Sequence, residues 1–178
     1  MKHLYRNKVK SIIAGLSIDE KQQQSQKRHA KFMELVEQRD SQVVLLYNAL
    51  PDEIDMRSSI VSCLKQWRIV LSPKVVDDIT MELYQVETLD NCVQWAYGIV
   101  EPDHIRCQKR SWSPIDIGAI PWRVFDRDGW RIWRGKWYYD RLLVKYPEMM
   151  NVWVCFTQQI VDQVRLEEWD VRMDVVIF

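Results

Sequence analysis

Residues 43–72 have the pattern of a strand, a helix and a second strand that follow each other within thirty residues. "VVLLY" (43–47) is apolar and rich in β-branched residues, so it predicts a buried strand. "MRSSIVSCLKQW" (56–67) carries apolar residues near helical spacing, and "RIVLS" (68–72) predicts a second strand that Pro73 ends. This order implies a right-handed crossover between two parallel strands.

The rest of the chain continues the alternation of helices and strands. Lys2 to Leu16 predicts a basic helix, and Ser17 with Glu20 forms a capping box that opens a long polar helix to Arg39. Further strands are predicted at 81–86, 115–120, 152–156 and 173–178. The pattern also predicts an extended turn at 98–102, an Asp-Gly turn within 125–131, and a helix at 136–145 that Pro147 ends. The pattern predicts one α/β domain over residues 1–178, with a three-layer α/β/α architecture and a mostly parallel central sheet.

Composition limits the class of protein. The 178 residues include 25 Lys and Arg against 25 Asp and Glu, and this balance argues against a general polyanion-binding domain. The four cysteines include no C-x-x-C pair, which favours reduced and mostly buried thiols. No apolar stretch has the length of a membrane span, and the N-terminus lacks a signal-peptide core. We therefore expect a cytoplasmic protein with no membrane partner.

Positive charge is concentrated in one part of the chain. From Arg106 to Arg141 there are nine Lys and Arg against four Asp, a local excess of five. Within this stretch, residues 125–141 lie between a predicted strand and a predicted helix. In α/β proteins this is where ligands bind, at the carboxyl ends of strands and the N-termini of helices.

The residue types in this loop suit a polyphosphate. A helix N-terminus offers unpaired N–H groups and the positive end of the helix dipole, to which Arg131, Arg134 and Lys136 would add charge. Asp140, about one turn into the helix, is placed for a metal ion that bridges phosphates. The pattern alone equally fits a solvated basic face on which tryptophan rings lie.

"FDRDGWRIWRGKWYYDR" (125–141) also resembles the signature of the 5-formyltetrahydrofolate cyclo-ligase family, also called methenyltetrahydrofolate synthetase, which is approximately F-D-x-x-G-x-R-L-G-x-G-x-G-Y-Y-D. The matching residues are Phe125, Asp126, Gly129, Arg131, Gly135, Tyr138, Tyr139 and Asp140. Similar motifs follow in family order: "LPDEIDMRSSI" with Glu53 and Asp55, "YGIVEP", "IDIGAIPW", and "EEWDVRMDVVI" with Asp170 and Asp174. The resemblance spans nearly the whole chain and implies a NagB/RpiA/CoA-transferase-like fold.

The resemblance implies an ATP-dependent closure of 5-formyltetrahydrofolate to 5,10-methenyltetrahydrofolate. In this reaction the formyl oxygen takes the γ-phosphoryl group, N10 attacks the activated carbon, and ADP and phosphate are released. The protein contributes mainly positioning and neutralisation of phosphate charge.

The resemblance also implies roles for individual residues. ATP would be held by Lys2, Arg6, Arg131, Arg134, Gly135 and Lys136, with Arg134 and Lys136 as the catalytic residues. Mg²⁺ would be held by Asp140 and Asp170. The reduced folate would contact Glu53 and either Tyr138 or Tyr139, and the other tyrosine is expected to pack. Without the resemblance, Glu53 would be interpreted as an exposed loop acid near a helix start. We expect a monomer.

Tryptophan departs from the family pattern at several positions. Three glycines of the signature are replaced by Trp122, Trp133 and Trp137. Trp67 and Trp153 stand where relatives often have glycine, and Trp169 stands where they often have histidine. Glycine beside a phosphate allows close backbone approach and often positive φ. The indoles would either point outward and leave a working site, or fill the site and leave an impaired relative that keeps the fold.

Tryptophans interleaved with arginines also raise a third possibility, single-stranded nucleic-acid binding. The residues concerned are Trp112, Trp122, Trp130, Trp133 and Trp137, whose rings could stack on bases. The zero net charge and the ordered α/β pattern argue against it, so no nucleic-acid partner is expected.

Overall fold

The computed structural model describes most of the chain. The described residues are 2–94, 100–110, 114–121, 124–126, 128, 130–132, 138–162 and 173–178. Of residues 2–6, 125, 131 and 132 the backbone alone is described.

Four α-helices are present among these residues: α1 Lys2–Ala14, α2 Ile18–Gln38, α3 Arg57–Lys65 and α4 Tyr138–Lys145. The predicted capping box opens α2. The Ser17 hydroxyl accepts from the Glu20 N–H at 3.2 Å, and Glu20 Oε2 accepts from the Ser17 N–H at 2.8 Å. None of the described helices is long and apolar enough to cross a membrane.

The strands form one large sheet and two small ones. The described strands are β1 Val43–Leu45, β2 Ile69–Val75, β3 Met81–Val86, β4 Cys92–Gln94, β5 Val100–Pro102, β6 Gln108–Lys109, β7 Ile117–Ile120, β8 Val124–Asp126, β9 Arg131–Ile132, β10 Met150–Val154, β11 Ile160–Val161 and β12 Val175–Ile177. The large sheet has the order β12-β10-β7-β1-β2-β3-β6. Its first five strands are parallel and its last two pairings are antiparallel, so the mostly parallel sheet is confirmed.

Helices cover both faces of this sheet, because neighbouring residues of a strand point to opposite sides. Val44 packs on one face with Phe32 of α2 and Ile60 of α3. Leu45 packs on the other face with Leu142 of α4. The three-layer arrangement is therefore confirmed, whereas the NagB/RpiA/CoA-transferase-like label stays a prediction.

Helices α2 and α3 also meet through polar groups. His29 Nδ1 lies 2.9 Å from the hydroxyl of Ser59, which is fully buried. Burial lowers the pKa of His29, so the neutral imidazole is favoured in this contact.

Pro73 does not end the second strand, contrary to the prediction. β2 runs through it to Val75, and Pro73 pairs with Leu83 of β3. The register between β1 and β2 stops at Leu71, so the proline lies beyond that ladder. A missing N–H is tolerated where the strand has a free side.

Two further segments form the small sheets. The predicted extended turn contains a strand, β5, which pairs with β4 in an antiparallel ribbon. The segment of the predicted Asp-Gly turn is flanked by β8 and β9, which pair with each other in antiparallel orientation. Asp126 is 1% exposed, and its Oδ1 accepts from the N–H groups of Asp128 and Trp130 at 3.1 and 2.9 Å. This aspartate therefore holds the turn, which explains an acid at that position of the motif.

Helix α3 ends through a tryptophan in the left-handed region. Trp67 has φ 60°, its N–H donates to Leu64 O, and the Arg68 N–H donates to Cys63 O. This is a Schellman motif, in which the left-handed residue is usually glycine. Trp67 is 93% exposed, so its indole points away from the protein.

Helix α2 ends in the same way, with aspartate in place of tryptophan. Asp40 has φ 48°, its N–H donates to Glu37 O, and the Ser41 N–H donates to Val36 O. Aspartate enters the left-handed region more readily than bulky residues do.

Candidate functional site

The carboxyl ends of five parallel strands form one edge of the large sheet. The loop 46–56 leaves β1 at this edge, and the 3₁₀ turn Thr157–Gln159 follows β10 there. Open α/β sheets bind ligands in the crevice outside such an edge. The side chains at this edge therefore define the candidate site.

Tyr47 and Glu53 lie in the loop after β1. Tyr47 is 2% exposed, and its hydroxyl donates to Ile54 O at 3.1 Å. Glu53 is half-buried, and its Oε2 accepts from the Leu50 N–H at 2.9 Å. The backbone of the loop thus positions the carboxylate that the sequence assigns to the folate.

Tyr139 of α4 acts electrostatically on the same buried phenol. Burial raises the pKa of Tyr47 well above its ordinary value, and the negative charges of Glu53 and of ionised Tyr139 raise it further. Two of the predicted substrate residues, 86 positions apart in the chain, therefore share the electrostatic environment of one buried phenol. The surroundings are apolar, because Tyr139 also packs on the core beside Leu143.

Asp55 fixes the far end of this loop. Its N–H donates to the Ser25 hydroxyl of α2 at 3.1 Å, and its carboxylate accepts from Arg57 Nε and Nη2 at 2.8 and 2.5 Å. Burial acts to raise the pKa of Asp55, but the hydrogen bonds and charge of Arg57 outweigh it and lower the pKa. The loop that carries Glu53 is thus tied to both neighbouring helices.

Arg28 of α2 fixes the chain after β10. It is 5% exposed; its Nε donates to Cys155 O at 3.1 Å and its Nη2 to the Thr157 hydroxyl at 2.7 Å. Gln24, one turn earlier, accepts from the Thr157 N–H at 3.0 Å. No role of Arg28 was predicted from the sequence. A signal was available, because Arg28 continues the i, i+4 series of buried residues Phe32 and Val36.

Tyr138 points to a different surface from Tyr139. Its hydroxyl donates to Asp77 O at 2.8 Å, and the Arg141 guanidinium lies 5.3 Å from its ring centre. Consecutive residues of an α-helix project about 100° apart, so neighbours at a helix start face different sides. Of the two tyrosines, Tyr139 is the one whose charge, like that of Glu53, raises the pKa of Tyr47.

The predicted nucleotide residues are described only in part. Lys2 and Arg6 lie in α1 and Arg131 lies in β9, but their side chains are outside the described part of the structure. Arg134, Gly135, Lys136 and Asp170 lie outside the described residues altogether. Their assembly into one ATP site stays a prediction.

Asp140 is the one predicted metal ligand whose side chain is described. It is half-buried in the first turn of α4, where a carboxylate is favoured by the helix dipole. Among the described residues no group of three or more potential ligands could hold a metal ion. One protein carboxylate is compatible with Mg²⁺, which takes one or two protein carboxylates and completes its shell with water and phosphate.

The fold and this edge define an α/β protein with a half-buried acid and a tyrosine at the carboxyl ends of its parallel strands. A family model, the 5-formyltetrahydrofolate cyclo-ligase family, matches residues 1–178. The chain belongs to this family of enzymes.

Relatives from distant organisms carry the same name. The 5-formyltetrahydrofolate cyclo-ligase of Mus musculus is 24% identical over 184 residues, which cover 97% of this chain and 91% of the mouse protein. The protein of that name from Haemophilus influenzae is 26% identical over 177 residues, or 97% of this chain and 95% of the relative.

Solved structures show the same architecture. The NMR structure of Aquifex aeolicus 5,10-methenyltetrahydrofolate synthetase superposes with a TM-score of 0.84 at 30% identity, covering 98% of this chain and 88% of that one. A 5,10-methenyltetrahydrofolate synthetase from Mycoplasma pneumoniae gives a TM-score of 0.77 at 23% identity, covering 99% and 97%, and this likeness concerns the fold.

Proposed function

We propose that this chain catalyses the ATP-dependent closure of 5-formyltetrahydrofolate to 5,10-methenyltetrahydrofolate. One observation supports it most directly: the negative charges of Glu53 and of ionised Tyr139 both raise the pKa of the buried Tyr47, in a chain that matches the cyclo-ligase family over its full length. We further propose that residues 1–178 act as one domain, as a monomer in the cytoplasm.

Glu53 is proposed to bind the folate ring. A pterin carries N–H and amino groups that donate hydrogen bonds, and an ionised carboxylate accepts at several positions. The Leu50 N–H orients the carboxylate, and the buried Tyr47 keeps the surroundings poorly hydrated. Charge-assisted hydrogen bonds in such surroundings are stronger than in water.

Tyr139 is proposed to line the same pocket with its ring. Its place on α4 ties the pocket to the loop before this helix. That loop carries Arg134, Gly135 and Lys136, which are among the six residues proposed to hold ATP. The six residues are Lys2, Arg6, Arg131, Arg134, Gly135 and Lys136, with Arg134 and Lys136 as the catalytic pair.

Asp140 and Asp170 are proposed to hold Mg²⁺. Bound MgATP would supply the phosphoryl group that makes the formyl oxygen a good leaving group. The contribution of the protein is to hold the two substrates in line and to neutralise phosphate charge.

Trp67 supports a working site rather than a filled one. It occupies a position where relatives often have glycine, it keeps positive φ, and its indole still points outward. We propose that Trp133 and Trp137 are accommodated in the same way.

The test is a spectrophotometric assay for methenyltetrahydrofolate formation, with and without ATP and with Mg²⁺ removed by a chelator. Glu53→Gln should lower kcat/KM about 10- to 100-fold, because a hydrogen bond to a charged group contributes roughly 1.5–3 kcal/mol. Asp52→Asn, an acid of the same loop, is the matched control and should change it less than about twofold.

A Trp133→Gly, Trp137→Gly variant separates the two alternatives for the indoles. Similar activity in both proteins supports outward indoles. Activity in the variant alone would support a blocked site on a competent scaffold. Absence of product and of ATP binding in both proteins would refute the proposed function.

A further inference from the structure

Two opposite charges are buried at a place that the proposed function does not use. Lys74 of β2 and Glu101 of β5 are each 8% exposed, and Lys74 Nζ lies 3.4 Å from Glu101 Oε2. A buried ion pair adds little stability compared with apolar residues of similar volume, because both charges lose their water. Glu101 belongs to "YGIVEP", one of the motifs that carry the resemblance, and the proposed function gives it no role.

Glu101 holds the last residues of β2. Besides the contact of Oε2 with Lys74, its Oε1 accepts from the Val75 N–H at 3.1 Å. The two oxygens of one carboxylate thus bind consecutive residues at the carboxyl end of the strand. β1 stops pairing with β2 at Leu71, so this carboxylate holds a part of β2 that lies beyond the parallel ladder.

The turn that follows β2 is closed by its own hydrogen bonds. Asp77 Oδ1 accepts from the N–H groups of Ile79 and Thr80 at 2.8 and 2.7 Å. The Val76 N–H donates to Thr80 O at 3.0 Å. An aspartate that binds backbone N–H groups ahead of it restricts the conformation of a turn. The position of Val75 therefore determines the position of Asp77.

Helix α4 begins on this turn. The Tyr138 hydroxyl donates to Asp77 O at 2.8 Å, and Tyr138 is the first residue of the helix. The pKa of Asp77 is lowered mainly by its hydrogen bond from Ile79, and the charge of Arg141 of α4 adds to this effect. Hydrogen bonds and the short chain from 75 to 77 thus join Glu101 to the start of α4.

We propose that Glu101 is a positioning residue of the candidate site, an inference that rests on the proposed function. Tyr139 and Asp140, which are proposed to contact the folate and Mg²⁺, directly follow Tyr138 in α4. A displacement of the helix start would move both residues. Misplacement of reacting groups by about 1 Å can lower a rate about 100-fold. Glu101 thus acts on the rate through β2 and the placement of α4.

The test compares two variants that both lack the ion pair. Lys74→Met with Glu101→Gln keeps an oxygen that can accept from the Val75 N–H, whereas Lys74→Met with Glu101→Leu removes it. At saturating substrates, the leucine protein should have a kcat about tenfold lower than that of the glutamine protein. Both are measured well below their Tm, where a loss of stability alone leaves kcat unchanged.

A further substitution shows whether the effect passes through α4. Tyr138→Phe removes the hydroxyl that binds Asp77 O, so in this background the two proteins should differ in kcat by less than about twofold. Tyr84→Phe removes a tyrosine hydroxyl that donates to Glu82 within β3, and this matched control should leave the difference intact.

A substitute variant serves if the leucine protein does not fold. Glu101→Asp keeps the charge and shortens the side chain by one methylene group, which withdraws the carboxylate from the Val75 N–H. Compared with the parent chain, it should lower kcat about tenfold, and this effect should likewise disappear in the Tyr138→Phe background.

Equal kcat values in the glutamine and leucine proteins would overturn the inference, as would a difference that persists in the Tyr138→Phe background. If the parent chain forms no product, the proposed function fails, and hydrogen exchange then tests the positioning role by itself. Faster exchange of the amides of residues 142–145 in the leucine protein than in the glutamine protein, with equal exchange in α2, supports the role. Equal exchange in α4 overturns it.

Discussion

Replacing Trp67 by glycine should make the protein more stable. A bulky residue in the left-handed region carries about 1–3 kcal/mol of strain, which glycine does not. The indole contributes little in return: it is 93% exposed, so about 7% of a side-chain area of roughly 250 Å² is buried. At about 25 cal/mol per Å² this burial is worth roughly 0.4 kcal/mol.

Glycine also increases the entropy of the unfolded chain, by about 0.4–1 kcal/mol relative to residues with a side chain. With about 2 kcal/mol of strain relieved, the net gain is about 1 kcal/mol. For a domain of this length it corresponds to an increase in Tm of about 2–4 °C. Urea and thermal unfolding, followed by far-UV circular dichroism, measure both quantities.

Two further variants separate the backbone effect from the loss of the indole. Trp67→Ala keeps a Cβ atom at positive φ and should leave stability within about 0.5 kcal/mol of the parent. Asp40→Gly changes the equivalent position of α2, where aspartate is better tolerated, so its gain should be smaller. Equal gains in Trp67→Ala and Trp67→Gly, or a loss in Trp67→Gly, would refute the argument from backbone strain.

Three other predictions concern buried polar groups. Lys74 and Glu101 form an ion pair in which both side chains are about one-tenth exposed, so Lys74→Met leaves the Glu101 carboxylate without this cation. The variant should lower the free energy of unfolding by about 3–5 kcal/mol. The double variant Lys74→Met, Glu101→Gln should recover most of this loss, as measured by urea unfolding. The lowered pKa of His29 means that protonation favours unfolding, so stability should fall from pH 7 to pH 5, and His29→Gln should flatten that slope. Burial raises the pKa of Cys155 to about 12, so iodoacetamide at pH 8 should label this thiol only after the protein unfolds. Cys92 is only partly buried and should be labelled first, and mass spectrometry measures the order of labelling.

Each of these predictions has a contrary result. An additive loss in the double variant of Lys74 and Glu101 would show that the two side chains do not act as a pair. An unchanged pH slope in His29→Gln would assign the acid sensitivity to other groups. Early labelling of Cys155 would mean that the end of β10 opens far more readily than its burial implies.

Local patterns predicted most of the fold, because they report burial directly. Apolar runs mark buried strands, and Ser17 with Glu20 marks a helix start through contacts three residues apart. The errors came from pairing between distant segments. Pro73 lies in a strand because β1 stops pairing before it, and residues 100–102 of the predicted extended turn form a strand because β4 lies beside them. Neither partner is visible in the local sequence.

The sequence predicted residues of the candidate site only where they lie within the motifs that resemble the family. Glu53, which the resemblance assigns to the folate, lies in the loop after β1, and its contact with the folate stays a prediction. The choice between Tyr138 and Tyr139 depends on the rotation of α4 about its axis, which the sequence leaves open because one residue of shift exchanges the two faces. Tyr47 could have been found as the polar residue that ends a buried strand, since that is where α/β sites lie.

The adjacency of Tyr138 and Tyr139 has a geometric consequence for any ligand that touches both. The two side chains leave one rigid helix about 100° apart, so the spacing of the two surfaces cannot adapt to the ligand. A molecule in contact with both must bend by about a right angle around the start of α4. A stiff, straight ligand would contact only one of the two tyrosines. A ligand with a bend between its two ends could contact both, so this part of the protein selects ligands by shape as well as by charge.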